Sequence, residues 1–263
     1  MPRANRHYIP GYVWHITHRC HKQEFLLRFA RDKRRWIAWL FEARKRYRLS
    51  ILSYIVTSNH IHLLVSDNGD EETIPKSIQL IAGRTGQQYN QRKQRKGAFW
   101  EDRYHATAVE GEEHLMQCMI YMALNMVRAG VVRHPEEWPY GSYHEIESPR
   151  SRYRIIDYEQ LMALFGIHNL KELQEAYGER IQETCRREGN TRESKWTESI
   201  AVGSKEFIED TKERLGVKAR GREVIREDGI YQLREATEPY GHTFDPKNDD
   251  LRLENRYFWD DIS

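Results

Sequence analysis

From Ile51 to Ser66 the chain is rich in Ile, Leu, Val and Tyr, and the run is cut by the polar Thr57-Ser58-Asn59. Two short apolar stretches joined by turn residues read as the paired strands of a hairpin, so the fold must be built around a sheet. The second strand carries Asn59-His60-Ile61-His62-Leu63-Leu64. Side chains alternate along a strand, so His60 and His62 project from one face while Ile61 and Leu63 project from the other. Two imidazoles therefore converge on one point.

The remaining periodicities place this hairpin in an order. Tyr12 to Arg19 reads as a strand, Arg28 to Tyr47 as a long amphipathic helix, Leu49 to Ser66 as the hairpin, and Thr73 to Gln91 as a second helix. Phe99 to Val109 then reads as a strand and Glu112 to Val132 as a third helix, ended by Gly130. The β-α-β-β-α-β-α order predicts an α+β fold, a ferredoxin-like or RRM-like antiparallel sheet whose first two helices cover one face. Gly83, Gly86 and the stretch from Lys93 to Gly97 predict a weakened end to the second helix and a flexible loop after it.

Leu115, Met119, Met122, Met126 and Val127 recur at helical spacing in the third helix, after acidic residues in its first turn. Tyr121 and Asn125 lie one turn apart and share a face. Asn inside a helix is a poor helix former that prefers caps and turns, so its presence asks for a reason. If that face meets the His strand, two nitrogens and one carboxamide oxygen make a three-ligand metal site with open positions for water or phosphate, beside a phenol.

These motifs, taken together over roughly residues 6 to 145, resemble the single-tyrosine HUH transposases, and within them the REP-associated tyrosine transposases of bacteria. The resemblance is carried by Tyr8-Ile9-Pro10-Gly11, Val13-Trp14-His15-Ile16-Thr17, Ile55 to Leu64, Phe99-Trp100-Glu101-Asp102-Arg103-Tyr104, Tyr121 to Gly130, and Trp138-Pro139-Tyr140-Gly141-Ser142-Tyr143. It implies that His60 and His62 are the HUH histidines, Tyr121 the nucleophile and Asn125 the third ligand. One departure is visible: many relatives carry Pro after this Asn, and Met126 follows it here, a residue a helix runs through more easily than Pro.

The activity so implied is that of a transposase and endonuclease that cleaves and rejoins single-stranded DNA at or beside hairpins, through a 5′-phosphotyrosine link and a free 3′-hydroxyl. A phenol with a reference pKa of about 10 is a weak nucleophile at neutral pH, and a divalent ion offsets the charge that develops on the phosphate. Mg2+ is favoured by availability and Mn2+ by the imidazoles, with zinc left open. His15, His18 and Glu101 are candidates for a general base. Two alternatives share the fold: a catalytically silent nucleic-acid-binding regulator, and a replication-initiator-type nickase.

Charge supports a nucleic-acid partner. The net charge of +2 hides an asymmetry: residues 1–133 hold 22 Lys and Arg against 12 Asp and Glu, and residues 134–263 hold 20 against 28. The basic half contains the whole candidate site, as a phosphate-binding surface requires. Arg92, Lys93, Arg95 and Lys96 form one basic cluster, and Arg103 and Trp100 are candidates for phosphate contact and base stacking. No run approaches the roughly 18 apolar residues of a membrane span, and the first residues lack the apolar core of a signal peptide. A cytoplasmic, nucleoid-associated protein, monomer or homodimer, is expected. The three cysteines, Cys20, Cys118 and Cys185, are too scattered for a disulfide framework or a zinc knuckle.

Three regions are expected: a catalytic domain over 1–147, a mainly helical appendage over 153–218 able to hold DNA, and a charged, partly disordered tail over 219–263. Ser148-Pro149-Arg150-Ser151 reads as the linker, and Tyr158 to Phe165, Leu170 to Glu188 and Ser204 to Leu215 as the helices of the appendage. The target sequence, the exchange of site halves between subunits and the service to element or host are not written in the chain.

Overall fold

The computed structural model describes residues 8–67, 69–186 and 193–235. In chain order its elements are β1 (Val13–Arg19), α1 (Ala30–Tyr47), β2 (Ser50–Val56), β3 (His60–Ser66), α2 (Thr73–Lys93), β4 (His105–Val109), α3 (Glu113–Ala123) and α4 (Asn125–Arg128). They continue with α5 (Tyr143–Glu147), α6 (Tyr158–Phe165), α7 (Leu170–Arg186), α8 (Lys195–Glu198), β5 (Ala201–Gly203), α9 (Lys205–Leu215), β6 (Arg222–Glu227) and β7 (Ile230–Glu235). The strands form one seven-stranded sheet in the order β2-β3-β1-β4-β5-β7-β6. All pairings are antiparallel except β4 with β5. Its first four strands have the ferredoxin-like order that the sequence predicts.

The alternation of β1 sorts the helices onto two faces. Trp14, Ile16 and His18 point one way, His15, Thr17 and Arg19 the other. His18 stacks on Trp100, whose indole N–H donates to the Ala82 carbonyl of α2 at 3.1 Å, so α2 and the α1 packed against it cover the first face. Apolar Trp36 and Leu40 of α1 and Ile74, Ile78 and Ile81 of α2 are buried with Ile16, Leu63 and Val65 of the sheet. The second face, with His15, receives α3 and α8.

Three local expectations are corrected. The strand over Phe99 to Val109 is regular only from His105, because Phe99 to Tyr104 passes the end of β1. There Cys20 bridges to Trp100, Glu101 N–H donates to the Arg19 carbonyl, and the chain then bends. The helix over Glu112 to Val132 breaks at Leu124 (φ −81°, ψ 4°), and Asn125 begins a separate turn of helix, a position its side chain suits better than a helix interior. Finally, α2 runs through both Gly83 and Gly86. At Gly86 a Cβ would come within 3.2 Å of the Phe99 side chain, so the glycine admits a packing contact.

The C-terminal segment supplies the expected helices α6, α7 and α9, and adds β5, β6 and β7 to the central sheet. The tail expected from 219 instead contains the β6–β7 hairpin, in which Val224 pairs with Leu233, Ile225 with Gln232 and Glu227 with Ile230 across the Asp228-Gly229 turn. Residues 187–188 of the expected helix and 236–263 of the tail lie outside the described residues. The junction of β4 and β5 is close: at Gly203 a Cβ would lie 2.6 Å from Phe207 and 2.8 Å from Glu110, whose carboxylate accepts from the N–H and hydroxyl of Ser204. No helix among the described residues is long and apolar enough to cross a membrane.

Candidate active site

The antiparallel register of β1 and β3 sets Thr17 opposite His62 and Arg19 opposite His60. His15, Thr17, Arg19, His60 and His62 therefore share the second face of the sheet. His15 and His62 are 0% and 2% exposed. His15 Nε2 and His62 Nδ1 are 2.9 Å apart, and the rings are parallel within 3° with centroids 5.0 Å apart. That separation with so short an N···N contact is an edge-to-edge, in-plane hydrogen bond. His15 Nδ1 lies 2.8 Å from the Trp196 carbonyl of α8.

Burial controls the charge of this pair. It pushes the His15 imidazole down to about 3 and holds His62 well below the ordinary histidine range, with the neighbouring bases His60, His15, Arg128 and Arg19 acting in the same direction. Both rings are neutral at physiological pH, the state a metal ligand needs. His60, half-buried at the mouth, has its Nδ1 2.7 Å from Asn59 Oδ1 and 3.0 Å from Thr57 Oγ1.

Tyr121 reaches the same place from α3. It is 4% exposed, and its ring stands edge-on to His62 at 5.9 Å and to His15 at 6.4 Å, with Trp196 at 6.2 Å behind it. The Arg128 guanidinium lies 4.1 Å from the centre of the Tyr121 ring and donates a hydrogen bond to the Tyr121 carbonyl, bridging the break between α3 and α4. Asn125, at the start of α4, has its amide nitrogen 3.1 Å from His62 Nε2.

These groups line one cleft of about 530 Å³, with Thr17, Arg19, His60, His62, Tyr121, Asn125 and Arg128 in its walls and no acidic side chain among the lining residues. Its potential suits an anion. Among the described residues no cluster of three or more His, Cys, Asp or Glu is placed to hold a metal. The set here is two imidazoles and a carboxamide, whose donors fit a divalent ion that takes its remaining ligands from water or phosphate. His60 and His62 each have Nδ1 engaged by a neighbour, so Nε2 is the nitrogen each would offer. Asn125 would have to turn its amide to offer oxygen.

The other sequence candidates lie elsewhere. Trp100 is held between His18, stacked at 4.1 Å, and the Ala82 carbonyl. Arg92 pairs with the buried Asp32 and lies over Tyr89 in a groove between α1 and α2. Lys93 sits 5.5 Å from the centre of the Phe29 ring, and Arg95 donates to the Ala98 carbonyl and Asn90, closing the turn after α2. Lys96 and Arg103 are exposed. Of the general-base candidates, His15 is spent on His62 and Trp196, His18 on the Asp102 carbonyl at 2.8 Å, and Glu101 is exposed away from the cleft lining.

Sequence reading missed Arg19, Arg128 and Trp196. A signal existed for two of them: Arg128 is seven residues after Tyr121, two helical turns on one face, and Arg19 follows His15 at strand period on β1. Trp196 acts through its backbone carbonyl, which leaves no mark in a sequence.

Residues 10–123 match the family model described as transposase, IS200-like. No curated protein matches the chain. Among solved structures, one of a REP-associated tyrosine transposase bound to a REP hairpin is 19% identical, with TM-score 0.46, covering 59% of this chain and 90% of its own. A transposase from Deinococcus radiodurans R1 is 15% identical, with TM-score 0.32, covering 44% and 90%.

Proposed function

We propose, on the premise that residues 10–123 are an IS200-like transposase domain, that this chain cleaves and rejoins single-stranded DNA at or beside hairpins through a 5′-phosphotyrosine intermediate. The observation that carries this reading is the convergence of His60 and His62 from β3, Tyr121 from α3 and Asn125 from α4 on one cleft lined by two arginines and no acid. A cleft of that sign draws in a phosphodiester and gives no reason to bind a cationic or neutral substrate.

In this reading Arg19 and Arg128 receive the scissile phosphate, and Tyr121 attacks phosphorus. The phenolic O–P bond forms, the bond from phosphorus to the 3′ oxygen breaks, the phenol gives up its proton and the leaving oxygen gains one. Arg128, lying on the ring, fixes its orientation and favours the phenolate by cation–π and charge attraction. His60, His62 and Asn125 would hold Mg2+ or Mn2+, which would supply positive charge to polarise the phosphate. Bond energy is retained in the phosphotyrosine, so the 3′-hydroxyl can reverse the step.

The test is a labelled single-stranded hairpin library incubated with Mn2+ or Mg2+ and resolved on a denaturing gel. A covalent protein–DNA band is expected, lost in Tyr121→Phe and in EDTA. Tight hairpin binding by both proteins with no covalent band would replace the enzyme by a regulator.

A further inference from the structure

The hydrogen bonds around His62 form a chain whose polarity can be worked out from both ends. At one end stands the Trp196 carbonyl, which only accepts, so the His15 nitrogen 2.8 Å away must carry the proton. A charge on either ring would be wholly buried, since His15 and His62 are 0% and 2% exposed, and no acidic side chain lines the cleft that His62 faces. His15 is then neutral with its proton on Nδ1, its Nε2 is a bare acceptor, and the proton on the 2.9 Å contact belongs to His62 Nδ1. His62 Nε2 is thereby left with its lone pair. At the other end the Asn125 amide nitrogen, which only donates, stands 3.1 Å from that Nε2 and demands the same assignment. Turning the amide over would put an acceptor against an acceptor. Every donor points the same way, from Asn125 through His62 and His15 to Trp196, so each bond polarises the next.

We propose that His15 is a positioning residue: anchored by the Trp196 carbonyl, it holds His62 in the Nδ1–H tautomer and turns the Nε2 lone pair to the cleft beside Asn125. The inference rests on the metal-site reading of the preceding section and deepens it, because a ligand fixed in tautomer and ring plane before the ion arrives loses less freedom on binding. It also makes α8, which lies beyond the matched residues 10–123, part of the centre. An Nε2–H form would offer the cleft a donor, which repels a cation.

The tautomer is read directly by long-range ¹H–¹⁵N correlation of the imidazole nitrogens in the full-length, ¹⁵N-labelled protein at neutral pH in EDTA. His15 and His62 should both show a protonated Nδ1 and a bare Nε2. In His15→Phe, which keeps a ring and removes the acceptor, His62 should lose its fixed pattern, and Mn2+ affinity by calorimetry should fall about 10- to 100-fold. His15→Gln, whose amide can accept from His62 and donate to Trp196, should restore part of both. An Nε2–H His62 in the wild-type protein overturns the proposal, a result that does not depend on any variant folding; so does an unchanged His62 pattern in folded His15→Phe. If the tautomers behave as expected and neither protein binds Mn2+, the positioning role stands and the metal reading falls.

Discussion

Two regions meet at the cleft and differ in how they carry information. The β1–β3 pair with α3 and α4 contributes side chains: His60, His62, Tyr121 and Asn125 line the cleft with their imidazoles, phenol and carboxamide. The α8–β5 segment contributes a wall: Trp196 fills space behind Tyr121 and lends a backbone carbonyl, and Ser199 and Trp196 carbonyls accept from Thr107. The first region specifies chemistry and the second specifies geometry. Residue identity is written into a sequence and the position of a carbonyl is not, so only the first region announces itself.

The largest expected effect comes from breaking the second region. Trp196 is fully buried, and Trp196→Ala should cost about 3–5 kcal/mol of stability through lost packing and a cavity. It should also weaken Mn2+ binding, because the carbonyl that anchors His15 moves with the collapsing segment. Chemical denaturation paired with calorimetry checks both. A folded variant that loses the stability and keeps the wild-type Mn2+ affinity would show that wall and centre are independent.

The next effect is a pH dependence with a definite sign. In the unfolded chain His15 and His62 take protons below about pH 6.5. In the folded chain burial holds His15 neutral down to about 3 and keeps His62 well below its ordinary range. The unfolded state thus binds more protons as pH falls, and stability is lost downward from about 6.5 at about 1.4 kcal/mol per pH unit for each ring, with no slope from either above neutrality. Denaturation midpoints taken from about pH 7.5 to about pH 5 should fall less steeply in His15→Gln, which removes one of the two rings. Parallel curves for the two proteins would mean that the His15 ring is not held neutral by the fold.

Much of the architecture was legible because it follows from periodicity. The hairpin around Thr57-Ser58-Asn59, the amphipathic α1 and α2 and the β-α-β-β-α-β order are all set by alternation and helical repeat. The break at Leu124 was not, because Met126 removed the one residue type, Pro, that would have signalled it, and the break is bridged by Arg128 from four residues downstream. β5, β6 and β7 were not either. β5 spans only Ala201–Gly203, and β6 is mostly exposed Arg, Glu and Val, so neither shows the apolar alternation of a covered strand. Among the basic residues, charge clustering pointed to Arg92, Lys93 and Arg95, which the fold uses for ion pairing, ring contacts and turn closure.

The smallest contrast is the sharpest test of that lesson, because it sets two arginines of equal charge against each other. Arg103 sits in the Trp-Glu-Asp-Arg-Tyr stretch that sequence reading favoured, and it is exposed outside the cleft; Arg128 belongs to no charge cluster and lies on the Tyr121 ring. Long-range attraction of DNA depends on total charge, so both substitutions to Gln should weaken binding to a hairpin by a similar modest factor that shrinks as salt rises. Cleavage should separate them. On the proposed mechanism Arg128→Gln removes a donor that would meet the scissile phosphate, and it should slow formation of the covalent band about 100-fold at saturating DNA. Arg128→Lys should recover only part of that, since an ammonium cannot lie flat on the phenol while bonding the Tyr121 carbonyl. Arg103→Gln should change the saturated rate by less than about twofold, as surface substitutions do. Equal losses for the two would mean that charge alone, and not its placement on the nucleophile, sets the rate.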